Sequence, residues 1–113
     1  MKYPKIIAKV EHEDKHKHIT LCLLIPAEII FFEGHFPNMP ILPGMVQVDW
    51  AIFFASKFFD VTPEMFSHIE KLKFTAIIKP NQKLFLNLML ENNILTFKYF
   101  NDNVIYSTGK IKS

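Results

Sequence analysis

The sequence is poor in several features that would narrow its function quickly. It holds a single cysteine, Cys22, which excludes an internal disulfide and any cysteine-based zinc site. Its formal net charge is only +2, too weak a bias to point to nucleic acid, so any basic function has to come from local clustering. No apolar run approaches the ~20 residues needed to cross a bilayer. The segment Met1 to Lys5 carries charge without a long apolar stretch behind it, so no secretory signal is expected. Internal repeats, low-complexity tracts and linkers are all missing. These absences leave one domain over residues 1–113, expected to be cytoplasmic and not inserted in a membrane.

Phenylalanine is abundant. Twelve Phe stand against three Tyr and one Trp, and half of the residues are hydrophobic, so the chain can build a packed core. A domain of this size buries only about two-thirds of its unfolded surface. Surplus Phe without a polar tip therefore favours an oligomer.

The pattern along the chain is mostly strand. Residues 5–12 and 16–25 read as strands separated by the polar turn Glu13-Asp14-Lys15, the second ending at Pro26. Residues 26–43 carry four of the seven prolines and read as an ordered loop, with one helical turn expected at 27–31. Residues 44–59 contain no proline and no glycine after Gly44, and Asp60-Val61-Thr62-Pro63 stops them. They read as a helix of ~24 Å. This helix is apolar almost all round, so it must be covered on most sides. Residues 68–79 alternate, placing Leu72, Phe74, Ala76 and Ile78 on one face and Lys71, Lys73 and Lys79 on the other. Residues 83–91, 94–100 and 103–111 complete the strands, with a hairpin signal at Asn92-Asn93. The expected class is α+β, one long buried helix against a largely antiparallel sheet.

The chemistry is concentrated between Phe32 and Ala51. His35 sits in a loop stiffened by Pro37, Pro40 and Pro43, which leaves little entropy to lose when its side chain is held in place. Asp49 lies in the apolar helix, where an unpaired buried carboxylate costs several kcal/mol. Pro43-Gly44 opens that helix, and its first amides carry the positive end of the dipole with no side chain to hold a ligand away. Singly, each has an ordinary explanation: a surface histidine, an aspartate whose register reaches solvent or a lysine, a plain helix start. Together they supply a base, a second acid or base and an oxyanion donor. That set suits proton abstraction beside a carbonyl followed by loss of a β-hydroxyl.

The segment Gly34-His35-Phe36-Pro37, then Pro40-Ile41-Leu42-Pro43-Gly44, then Asp49 resembles the signature of the 3-hydroxyacyl-acyl carrier protein dehydratases of fatty acid synthesis. In that family an Asp or Glu follows the histidine by fourteen residues, the spacing from His35 to Asp49. The string Val46 to Ala51 is also similar to small dehydratases of aryl-polyene-type lipid clusters. Two positions depart from the pattern: Phe53 stands where the family often has Gln, and Pro80-Asn81-Gln82 replaces a Pro-Gly-Asp turn.

The resemblance implies a hot-dog fold and a homodimer joined edge to edge with shared active sites. It implies dehydration of a 3-hydroxyacyl thioester carried on the phosphopantetheine of acyl carrier protein or coenzyme A, with no metal and no cofactor of the enzyme's own. His35, Asp49 and Gly44 would be catalytic. Phe36, Pro43, Met45, Phe53 and Phe54 would line the substrate. Lys71, Lys73, Lys79 and Lys83 form a basic stripe that could dock an acidic carrier protein. His12, Asp14, His16 and His18 lie close in sequence and read as a polar hairpin rather than a metal site. Two rival functions remain: a hot-dog acyl thioesterase, and a non-catalytic subunit that binds acyl carrier protein.

Overall fold

A computed structural model describes residues 3–25, 27 and 41–113. Its elements run β1 (Lys5–Glu11), β2 (Lys17–Leu24), α1 (Gly44–Phe59), a single 3-10 turn (Pro63–Met65), β3 (His68–Phe74), β4 (Lys83–Glu91), β5 (Ile94–Phe100) and β6 (Ile105–Lys112). The helix bounds are those the sequence predicts, and β4 and β5 also agree. The helical turn expected at 27–31 falls outside the described residues except for Ala27.

The strands form one six-stranded sheet in the order β1-β2-β4-β5-β6-β3, with every neighbouring pair antiparallel. Alternation sends Leu21, Leu23, Leu84, Leu86, Leu88, Leu95, Phe97 and Tyr99 to the inner face, where all are fully buried. The helix lays Val46, Val48, Trp50, Ala51, Phe54, Ala55 and Phe59 into the same cluster. This is the one-helix, curved-sheet architecture that the apolar helix called for. Gly109 is needed where it stands, because a Cβ there would run into the ring of Phe97, its partner across β5 and β6.

Turn chemistry follows the backbone. Asn92 and Asn93 both take positive φ, 52° and 63°, as a two-residue hairpin turn of the primed type requires. Asp60 ends α1 in the left-handed region with φ 56° and ψ 47°. The Lys17 ammonium donates to the Phe59 carbonyl at 2.8 Å, placing a cation on the negative end of the helix.

The strand expected over 68–79 stops at Phe74. Beyond it, the amides of Thr75 and Ala76 both donate to the Tyr106 carbonyl, at 2.9 and 3.2 Å, and the ladder ends. The chain then turns to a different partner: the Ile78 carbonyl accepts from the Leu42 amide at 2.8 Å. Ile78 is buried as a result, but it packs beside the lead-in to α1 rather than in register with β6. Lys79 consequently leaves the face shared by Lys71 and Lys73 and joins the turn before β4, where its amide bonds to the Gln82 side chain. Pairing through β6 instead aligns Lys73 with Thr108 and Lys98, and Lys71 with Lys110.

Candidate active site

The start of α1 is built to leave amides free. Pro43, the N-cap, is extended and offers no side-chain cap. Its carbonyl accepts from the Val46 amide at 3.1 Å and the Gln47 amide at 3.3 Å. The Gly44 and Met45 amides have no partner among the described residues. They carry the positive end of the helix and can receive an oxygen that gains negative charge. Phe74, from the end of β3, closes over this point. A Cβ on Gly44 would come within 2.8 Å of the Phe74 ring, so glycine is what permits the approach.

Asp49 comes one and a half turns later, ~7.5 Å along the axis. Its side chain is exposed in the single chain, as is Met45 one turn earlier, while Phe53 one turn later is half-buried. These three lie at the i, i+4, i+8 spacing of one helical stripe. The stripe is the part of α1 that the sheet leaves uncovered. The carboxylate therefore pays no burial cost here, and the register does reach the open side. At the first turn of the helix, an apolar depression of about 420 Å³ opens between Leu42, Gly44, Met45, Gln47, Phe74 and Ile77.

The other residues named from the sequence separate into distinct settings. Pro43 is half-buried at the helix start. Phe53 stacks on Tyr3 with ring centroids 3.9 Å apart. Phe54 points the other way and is 2 % exposed, within the core. His35 and Phe36 lie outside the described residues, so their relation to Asp49 is not set by the described structure. Lys71, Lys73, Lys79 and Lys83 are all exposed.

The histidines of the first hairpin are tied into a hydrogen-bonded chain. The His18 Nδ1 meets Asp14 Oδ2 at 2.7 Å and its Nε2 meets Asn87 Oδ1 at 2.7 Å. The Thr20 hydroxyl donates to the same Asn87 oxygen at 2.9 Å, and His12 Nε2 meets Thr20 Oγ1 at 2.8 Å. The rings of His12 and His18 stack at 4.0 Å. The His18 hydrogen bond, with a second from the His16 amide, holds the Asp14 carboxyl below its ordinary range. Among the described residues, no group of three or more His, Cys, Asp or Glu side chains could hold a metal ion.

Sequence reasoning missed a second polar group in α1. Gln47 is 3 % exposed. Its Nε2 donates to the Leu42 carbonyl at 3.3 Å, and its Oε1 accepts from the Ser107 hydroxyl at 2.7 Å. Its backbone carbonyl accepts from the Tyr99 hydroxyl at 2.7 Å. Burial pushes the Tyr99 phenol well above its ordinary value, and the charge of Asp49 adds to this. The signal was present: Gln47 is an amide in the first turns of an apolar helix, and Ser107 holds an inward position on β6. The same logic that singled out Asp49 applies to both.

Known proteins resemble this chain in sequence and in fold. A family model described as ApeI-like, ApeI dehydratase, matches residues 11–110. The "3-hydroxyacyl-[acyl-carrier-protein] dehydratase FabZ" of Oenococcus oeni is 34% identical over 54% of this chain and 48% of its own. That of Burkholderia thailandensis is 26% identical over 82% of this chain and 64% of its own. The chain thus spans about half to two-thirds of the length of these curated relatives. A solved structure, "The Dehydratase Heterocomplex ApeI:P from Xenorhabdus doucetiae", superposes with a TM-score of 0.84 at 35% identity, covering 99% of this chain and 97% of that one. The hot-dog fold is therefore shared with that dehydratase. Among the described residues, no helix is long and apolar enough to cross a membrane.

Proposed function

The chain belongs to the ApeI-like dehydratase family, and from that premise we propose that it removes water from a 3-hydroxyacyl thioester to give the trans-2-enoyl thioester. The observation that carries this is the placing of Asp49. A carboxylate stands on the exposed stripe of an apolar helix, one turn after Met45, and that helix opens on an uncapped glycine amide that lines an apolar depression together with Met45.

In this scheme the thioester oxygen accepts a hydrogen bond from the Gly44 amide. His35 takes the C2 proton, and the developing charge rests on that oxygen. Asp49 of the partner subunit gives a proton to the 3-hydroxyl, directly or through water, the C3–O bond breaks and water leaves; the proton taken by His35 then returns to that carboxylate, so the two groups end as they began. The thioester itself acidifies C2, so the scheme needs no metal and no cofactor beyond the pantetheine arm that carries the substrate. Phe36, Pro43, Met45 and Phe53 would flank the acyl chain, with Met45 and Phe53 on the open stripe, while Phe54, buried in the core, supports that stripe from below instead of lining the substrate. His35 must be neutral to act as a base, so the rate falls in acid.

The substrate's carrier and the assembly belong to the same proposal. Ile69, Phe74 and Ile77 are each 45% exposed on β3 and just beyond it, near Met45 at 54% and Ile105 at 51%. Apolar surface along an unpaired edge strand suits a second hot-dog chain, which would add its own strand there and cover the open stripe of α1. That the related ApeI protein is described in a heterocomplex makes both a homodimer and a mixed dimer concrete candidates. The exposed lysines Lys71, Lys73 and Lys110 on the outer sheet face suit an acidic carrier protein.

The test is to incubate the purified protein with a 3-hydroxyacyl thioester, on carrier protein and on coenzyme A. Enoyl absorbance is expected, and free thiol would instead favour a thioesterase. Asp49→Asn should lower the rate by about 10²–10⁴-fold with unchanged melting, because the side chain is exposed. An Asp49→Asn protein that dehydrates at the wild-type rate would remove the residue from the mechanism.

A further inference from the structure

We propose that Gln47, Ser107 and Tyr99 are positioning residues, a buried hydrogen-bonded tether that fixes the first turns of α1 and thereby aims both the Gly44 amide and the Asp49 carboxylate. The inference rests on the dehydratase reading for its catalytic consequence. Its structural content stands alone.

Three elements converge on residue 47. Its side chain reaches back to the Leu42 carbonyl and across to Ser107 on β6. Its backbone carbonyl takes the Tyr99 hydroxyl from β5. Leu42 is itself held to the Ile78 carbonyl through its amide, so the lead-in, the helix and two strands share one network. All members are buried, with Ser107 and Tyr99 at 0 % and Gln47 at 3 % exposure. No buried side-chain polar atom is left unsatisfied among the described residues. An apolar residue at each place would fill the core without these desolvation costs. Hydrogen bonds instead fix direction: they set both the rotation of α1 about its axis and its height over the sheet.

Residue 47 is the pivot between the two groups it would aim. Gly44 lies three residues before it and Asp49 two residues after. A rotation of the helix N-terminus moves both together, and a shift of about 1 Å in a reacting group is enough to cost much of a rate. At the other end of the helix, the Lys17 ammonium bonds the Phe59 carbonyl ten residues beyond Asp49, too far along the rod to aim its first turns.

The experiment compares wild type with Tyr99→Phe, Ser107→Ala and Ser107→Thr in the intact chain. Tyr99→Phe is close to isosteric and keeps the ring packing, so folding is not at issue. Steady-state dehydration of a 3-hydroxyacyl thioester gives kcat and KM separately, and amide hydrogen exchange is read over residues 44–49. Tyr99→Phe and Ser107→Ala should each lower kcat on the order of tenfold with KM within about twofold, and should speed exchange at 44–49 but not in β5 or β6. Ser107→Thr, which restores the donor, should recover much of kcat. Unchanged exchange at 44–49 in Tyr99→Phe overturns the tether. Faster exchange with kcat unchanged in an active enzyme overturns its role in aiming the groups. A wild type that forms no enoyl product sinks the dehydratase reading instead, and the exchange result then decides the tether on its own.

Discussion

The two halves of α1 are held by different forces. From Gly44 to Asp49 the helix is tied by hydrogen bonds from Gln47 and Tyr99 and leaves amides and a carboxylate open. From Phe53 to Phe59 aromatic packing predominates: Tyr3, Phe53, Phe54 and Phe58 form a run of ring contacts, and Lys17 caps the end. Packing is non-directional and tolerates small slides. Hydrogen bonds fix position at a cost in desolvation. The difference shows why one continuous helix can anchor the core at one end and present chemistry at the other.

The comparison breaks most severely at the packed end. Phe59 is 4% exposed in the core, and Phe59→Ala should lower unfolding free energy by about 3–5 kcal/mol, the usual cost of such a cavity. Urea melts would measure the loss, while kcat per folded molecule stays at its wild-type value. A loss of kcat with stability unchanged would contradict the division between the halves.

The hydrogen-bonded end should show itself in alkali. Burial raises the Tyr99 phenol above its ordinary value near 10. Such a group contributes stability that is complete below the unfolded value and is lost as pH rises toward the folded one. Above about pH 10, stability should therefore fall by up to about 1.4 kcal/mol per pH unit from this group. Tyr99→Phe should flatten that part of the profile, as chemical melts at stepped pH would show. Equal slopes in the two proteins would mean that Tyr99 keeps no proton on folding.

The smallest effect should come from the helix cap. Lys17→Met removes the ammonium from the Phe59 carbonyl and should cost about 0.3–1 kcal/mol, less at high salt. Thermal melts at low and high salt would test it. A loss of the same size at both would assign the effect to the lysine stem rather than its charge.

Much of this was legible beforehand, for local reasons. The helix from Gly44 to Phe59 is bounded by Pro43 and by the Asp60 to Pro63 stop, and period-2 alternation marks Leu84, Leu86 and Leu88 without ambiguity. Alternation continues through Ile78, so the pattern alone extends the strand from His68 past its end at Phe74. The shared Tyr106 carbonyl and the pairing of Ile78 with Leu42 are contacts with distant segments and leave no local trace. The same contacts take Lys79 off the strand face. The signal at Gln47 matches that at Asp49, but its partners Ser107 and Tyr99 lie on strands some sixty and fifty residues later.

By itself the sequence determined the element order, the apolar faces and the residue types gathered around Gly44 and Asp49, since periodicity and turn chemistry act over a few neighbours. Tertiary structure alone decided which stripe of α1 stays open, which side of Gly44 the Phe74 ring closes, and which buried groups tie residue 47 in place. Those outcomes depend on contacts between segments distant along the chain, and such contacts exist only once the helix has packed against the sheet.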